Sequence, residues 1–326
     1  MKIDTTAFKA VIKGHKLQGD RLDEGIKGMF DVDVPCNPGD FKFGLIHTVP
    51  YFTGAGMMGV HIIHNVLANM DNVCVDYSYL PESTIRKALK SNKIPLFGFG
   101  TKIPLREFDM LGFAMFHTPN VCNMIHIIQL AGIPHMAEER DDKWPILMSG
   151  GVLNTSPEAF APIFDIVFVG EGEEQVPVIV NTVRDLKKQG KTKEEILKAV
   201  CVIPGCYVPR FYENIIDPET NRFAGMKKLL PEAPDAIDFQ KVDISDPKYN
   251  YTIVNYKKDI ARNRLYLTKD VEVTRGCVHG CRFCAPFSWY KPYRERNFEG
   301  VKQAIEAREE LGMVRMMGLT PTDYSR

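Results

Sequence analysis

FKFGLIHTVPYFTGAGMMGVHIIHNVLANMDNVCVDYS, residues 41–78, is the stretch whose reading decides the fold. It opens on a short apolar run, 41–49, of the kind that forms a buried strand. Gly54, Gly56 and Gly59 follow as a turn. Val60, Ile63, Leu67 and Met70 then recur at helical spacing, and 72–78 reads as a second strand. Strand, glycine turn, helix and strand make up the repeating unit of a parallel α/β sheet.

The alternation continues outward. PESTIRKALKSN (81–92) reads as a helix, IPLFGF (94–99) as a short strand and DMLGFAMF (109–116) as a buried strand. VCNMIHIIQLAG (121–132) is a helix stopped by Gly132, with Pro134 beyond it. PILMSGG (145–151) is a strand running into glycines, PEAFAPI (157–163) a short helix, and DIVFVGEGEE (165–174) a strand ending in an acidic glycine turn. Val176, Ile179, Val180, Val183 and Leu186 form a helical stripe ended by Gly190, and Thr192 with Glu195 predicts a capping box for the next helix. The fold class expected is α/β, a Rossmann-like doubly wound parallel sheet over 41–200. Its glycine turns fall on one edge, where open α/β sheets bind ligands. That makes Gly54, Gly56, Ser149, Gly150, Gly151, Gly170 and Gly172 the candidate ligand-binding residues of the edge.

The chain has 326 residues, long enough for two domains. Hydrophobic residues at 44% and charged residues at 25% are a globular composition, which argues against disorder. Lys+Arg and Asp+Glu are both 41, so a broad electrostatic grip on nucleic acid loses weight. No apolar run reaches the length of a membrane span, and residues 1–16 lack the apolar core of a secretory signal. Eight cysteines are too few for a disulfide scaffold and point to reduced thiols or metal in a cytoplasmic setting. Residues 1–40 read as an N-terminal arm and 201–270 as a proline-rich connector with a few strands, such as 264–268. From 271 a new α/β unit begins, with a strand, a cysteine loop, a helix over 298–311 ending at Gly312, and a second strand, MVRMMGL.

The strongest chemical signal is Cys277-Val-His-Gly-Cys281-Arg-Phe-Cys284, directly after a strand. Three thiolates on one short loop can ligate three irons of a [4Fe–4S] cube and leave the fourth open. A structural zinc site with His279 as fourth ligand is the alternative, awkward because His279 lies between two ligands on a tight loop. Cys36, Cys74, Cys122, Cys201 and Cys206 are scattered, and four of the five lie in or beside apolar runs and read as small core residues.

The motif at 277–284, continuing through APFSWYKPYRERNFEGV and followed by MGLTPTDYS, resembles the radical S-adenosylmethionine (SAM) superfamily. Within it the chain resembles a family in which a cobalamin-binding-like N-terminal domain precedes the radical SAM barrel. PLFGFGTKIPLREFDMLGF (95–113), VGEGEE (169–174) and IPGCYVPRFY (203–212) extend the likeness to about 40–326. The resemblance implies a [4Fe–4S] cluster on Cys277, Cys281 and Cys284, SAM bound at the open iron, and reductive cleavage of SAM to a 5′-deoxyadenosyl radical. Phe283, Thr320, Thr322 and Asp323 are its SAM-side candidates. A flavodoxin or ferredoxin is the expected reductant, and the substrate is left open.

Two features depart from the family pattern. The D-x-H-x-x-G motif, whose histidine ligates cobalt, is absent, and His47, His61, His64 and His117 lack its context. Cobalamin binding therefore stays open. The 271–326 unit holds scarcely two strands of a barrel of about six strand–helix units, so a second chain could complete it. KPYRER (291–296) is locally basic and reads either as a contact for the SAM carboxylate or a phosphate, or as an intramolecular ion-pair set. Three readings follow: a radical SAM enzyme, a cofactor-binding module with a vestigial radical domain, and a zinc-stapled interaction protein.

Overall fold

The computed structural model describes residues 3, 34–54, 56–254, 270–309 and 313–325. Strand β1 (Phe41–His47) is followed by α1 (Met58–Ala68), β2 (Val73–Tyr79) and α2 (Ser83–Ser91). Next come β3 (Met110–Ala114), α3 (Asn120–Ala131), β4 (Ile146–Gly150) and β5 (Ile166–Phe168). Helices α4 (Gln175–Lys188) and α5 (Lys193–Val200) lead to β6 (Cys206–Tyr207). The strands lie in the order β2-β1-β3-β4-β5-β6, parallel throughout except for the antiparallel β5–β6 pair. The expected doubly wound α/β sheet is therefore the one observed. The chain leaves β1 for β2 on one side and returns to β3 on the other, which puts the switch point between β1 and β3.

Burial on both faces explains why the strands read as unbroken apolar runs. Phe43, Ile46, Phe113, Leu147 and Ile166 are all fully buried, in one core shared by the sheet and its helices. Helix ends follow their local signals. Gly132 closes α3 in the left-handed region at φ +68°. At the start of α5 the Thr192 hydroxyl accepts from the Glu195 N–H at 3.3 Å, while the Glu195 carboxylate accepts from the Thr192 N–H at 2.9 Å.

Two short expectations are corrected. Residues 94–99 form no strand. Leu96, Phe97 and Phe99 are buried, but their N–H groups do not join a ladder. Leu96 N–H donates to Leu130 and Phe99 N–H to Tyr77. The loop is anchored by the buried Asp76 carboxylate, which accepts from the N–H groups of Gly100 and Thr101 at 2.8 Å each and from the Thr101 hydroxyl at 2.7 Å. Residues 157–163 form only a short 3-10 turn, Ala161–Ile163, because Pro162 has no N–H to extend a helix.

Beyond the sheet, β7 (Tyr212–Ile216) and β8 (Phe223–Lys228) form an antiparallel hairpin. The strand expected at 264–268 lies outside the described residues, as does most of the 1–40 arm. The last unit holds β9 (Asp270–Glu272), β10 (Thr274–Arg275), α6 (Ala285–Tyr290), β11 (Arg294–Glu295), α7 (Phe298–Glu306) and β12 (Arg315–Met317). Strand β12 pairs parallel with β9, and β10 pairs antiparallel with β11. Val271, Val273, Val301, Ala304 and Ile253 make a small separate core. Helix α7 is described as ending at Glu306, short of the expected 311. Among the described residues no helix is long and apolar enough to cross a membrane.

Candidate functional site

A cavity of about 490 Å³ opens at the C-terminal edge of the sheet, over the switch point. That volume suits a small-molecule or cofactor site. Phe43, Leu45 and Phe113 form its floor, and the turns after β4 and β5 form its rim. The facing wall comes from the last unit: Glu272, Thr274, Arg275, Gly276, Tyr290 and Met317–Leu319. The cavity thus lies between the sheet edge and the strand that runs into the cysteine loop.

Of the sheet-edge candidates, Gly150, Gly151, Gly170 and Gly172 line this cavity. Gly54, Gly56 and Ser149 do not. Gly54 backs onto His47 and Tyr79. Ser149 is fully buried beside Asn154, whose amide donates to the carbonyls of Ser149 at 2.9 Å and Phe168 at 2.7 Å, fastening β4 to β5. Gly151 adopts φ +114°, and a Cβ there would stand 2.3 Å from the Met115 carbonyl oxygen. Gly151→Ala is therefore expected to cost about 1–3 kcal/mol of stability, from backbone strain and the clash together. Gly190→Ala, at φ +72° with open space around it, should cost less. Urea unfolding of the two variants compares them directly, and equal losses would remove the clash from the account.

Among the described residues, the cavity lining contains no histidine. His47 stacks on Tyr79 with ring centroids 4.3 Å apart, and His64 stacks on Tyr77 at 4.8 Å. His61 Nδ1 lies 3.1 Å from the Tyr77 hydroxyl, and His117 rests against Phe116.

Of the two readings of KPYRER the intramolecular ion-pair set is the one observed, but sequence reasoning did not foresee its partners in the charged seam along the rim. Arg275 is buried among three carboxylates. Its guanidinium donates to Glu272 at 2.9 and 3.1 Å and to Glu173 at 2.8 Å, and it lies 3.1 Å from Glu171. Arg294 holds Glu171 in a two-point fork at 2.7 and 2.8 Å, and Arg296 holds Glu272. Glu171 also accepts from the Val242 N–H at 2.7 Å. Burial alone would raise the Glu171 and Glu272 carboxyls. For Glu272 the charges of Arg275 and Arg296 outweigh burial and hold it down at about 2. Burial likewise works against the Glu171 carboxylate, but Arg294 and Arg275 keep its pKa below the usual value. Arg294 and Arg296, two of the three basic residues of KPYRER, are thus committed to intramolecular pairs. The one available signal was composition: VGEGEE supplies two of the acids, and no local spacing shows partners more than a hundred positions away.

Gly276, at φ +89°, turns the chain out of β10 into the cysteine loop. Cys277 and Cys284 are half-buried and Cys281 is exposed, and all three are free thiols. The His279 N–H donates to Cys277 Sγ at 3.4 Å, and the Cys284 N–H donates to the Cys281 carbonyl at 3.0 Å. Among the described residues no three His, Cys, Asp or Glu side chains are drawn together as a metal site. The donor chemistry nevertheless fits a thiolate-held iron–sulfur cluster, since 277–284 carries three sulfurs and no carboxylate. His279 Nε2 lies 3.3 Å from Asp323 Oδ2, outside hydrogen-bond geometry, so the imidazole faces the turn after β12. Of the SAM-side candidates, Phe283 is 92% exposed. Thr322 is exposed, and Thr320 Oγ1 is buried without a hydrogen-bond partner.

An open, mostly parallel sheet with a crevice at its switch point, faced by a second unit that carries a three-cysteine loop, defines an α/β protein of the doubly wound class. Residues 59–209 match the model of a family described as radical SAM proteins, N-terminal. A solved radical S-adenosylmethionine methyltransferase, TsrM from Kitasatospora setae, with cobalamin and a [4Fe-4S] cluster bound, has a similar fold. The TM-score is 0.52 at 13% identity, over 86% of this chain and 49% of that one. The chain therefore spans about half the length of that structure. No curated protein gives a significant match.

Proposed function

We propose that the protein works as a radical SAM enzyme, with a [4Fe–4S] cluster on Cys277, Cys281 and Cys284 and SAM cleaved reductively at the cavity. One observation carries this reading: the strand that enters the cysteine loop, Thr274–Gly276, is itself a wall of the sheet-edge cavity. A cluster on that loop would stand beside a largely apolar crevice, which favours chemistry that must limit water. When bound, the cluster supplies the electron that breaks the SAM sulfonium. The chain's own residues orient and enclose. Gly276 sets the loop's departure, Arg275 fixes the strand before it, and Phe113, Met115 and Phe116 keep the cavity floor dry.

Cobalamin belongs to the same proposal. The apolar floor and the glycine rim suit the face of a large ring, and Gly150 opens onto free space. Among the described residues the lining offers no imidazole, so the chain's groups toward cobalamin would be the glycine rim and the apolar floor. When bound, cobalamin supplies a methyl carrier. A flavodoxin or ferredoxin is the proposed electron donor, in a reducing cytoplasm.

The test is anoxic purification. The expected protein is brown, with a broad visible absorbance that dithionite bleaches, and it yields 5′-deoxyadenosine from SAM. A colourless protein holding about one zinc per chain would overturn the reading. The orientation of His279 toward Asp323 gives the zinc alternative no support.

A further inference from the structure

Resting on that reading, we infer that Glu173 and Arg275 are positioning residues that hold the cysteine loop against the sheet-edge cavity and so set the affinity for SAM. Arg275 stands two residues before Cys277. Its guanidinium reaches across to the turn after β5, where Glu173 accepts at 2.8 Å. Both residues are buried and both line the cavity. The two form a direct strut from the rim of the sheet to the base of the loop.

Stability alone does not account for such a strut. Buried ion pairs pay a desolvation cost that their attraction roughly repays, and apolar side chains of similar size serve at least as well. What a guanidinium among carboxylates adds is direction, because its donors lie in one plane at fixed angles. Here that plane is set from both sides, by Glu272 on β9 and by Glu171 and Glu173 on the rim. Gly276 transmits the setting, since a Cβ at that position would stand 2.6 Å from the Pro292 carbonyl oxygen and the loop base has no room to swing.

Glu173 is the clean probe. Its hydrogen bond is to Arg275, whereas Glu171 and Glu272 are shared with Arg294 and Arg296. The experiment uses cluster-loaded full chain, reduced with dithionite and titrated with SAM while the electron paramagnetic resonance spectrum of the cluster is followed. Glu173→Gln, which leaves Arg275 facing Glu272 and Glu171, is expected to keep wild-type iron at a lowered melting temperature, while the SAM concentration for half-maximal spectral change rises about tenfold. Arg275→Lys, which keeps the charge and loses the fork, should shift it in the same direction. An unchanged SAM titration in Glu173→Gln would overturn the inference. So would loss of iron alongside the lowered melting temperature, which marks a merely structural role. Wild-type protein that takes up no cluster would overturn the enzyme reading itself and this inference with it. Iron in the wild type therefore tells the two failures apart.

Discussion

Cys281→Ala is expected to strip most of the iron from anoxically purified protein, and Cys277→Ala and Cys284→Ala to do the same. Each removes one of three thiolates, and neither Val278 nor Arg282 offers an atom that can take its place on iron. A two-thiolate remnant on a loop with exposed Cys281 or half-buried flanks has nothing to close around the metal. The controls are Cys74→Ala and Cys122→Ala. Cys74 is buried on β2, where burial and the neighbouring Cys36 push its thiol well above the ordinary range. Cys122 lies on the exposed face of α3. Both should leave iron per chain at the wild-type level. Equal iron loss from Cys74→Ala and Cys281→Ala would refute the assignment.

The second large effect concerns Glu272. Glu272→Gln should destabilise the fold by about 3–5 kcal/mol, because it leaves Arg275 and Arg296 short of a buried counter-charge. The same carboxylate makes stability depend on acid. In the folded protein its pKa is depressed from an ordinary value of 4.5 to about 2. An unfolded chain thus takes up a proton near 4.5 while the native state still refuses it. The stabilisation is complete above that ordinary value and drains away as pH falls toward about 2. Urea midpoints of wild type should drop steeply over this window, and those of Glu272→Gln should drop less. Parallel acid limbs in the two proteins would show that other groups carry the dependence.

Much of the architecture was legible because local physics and tertiary packing agree. The stripe Val176, Ile179, Val180, Val183 is the buried face of α4, and the Thr192–Glu195 pair caps α5 as its spacing implied. The glycine turns were legible as an edge, and four of the seven edge candidates reach the cavity. Segment 94–99 misled for a specific reason. Leu96 and Phe97 are as buried as any strand residue, and burial shows in a sequence whereas hydrogen-bond partners do not. Asp76, which organises that loop, reads as an ordinary polar residue within a strand. The rim seam was illegible for a related reason: Glu171 and Arg294 lie 123 positions apart, and no periodicity links them. Ser149 was chosen for standing beside two glycines, yet its side chain turns inward to Asn154.

The seam also has a direction in time. Glu173 and Arg275 are 102 positions apart, so a ribosome adding about 5–20 residues per second delivers the arginine about 5–20 s after the glutamate. The sheet has all six strands by Tyr207 and can close its core in that interval. Its rim carboxylates then wait in water, ionised and hydrated, with no partner yet made. The cysteine loop is the last of these parts to emerge, and it arrives at a surface already shaped to receive the residue in front of it. Newly made chains therefore have the sheet-edge side of the crevice before they have the cysteine loop that faces it, and on the proposed reading a cluster would be loaded against a sheet already folded.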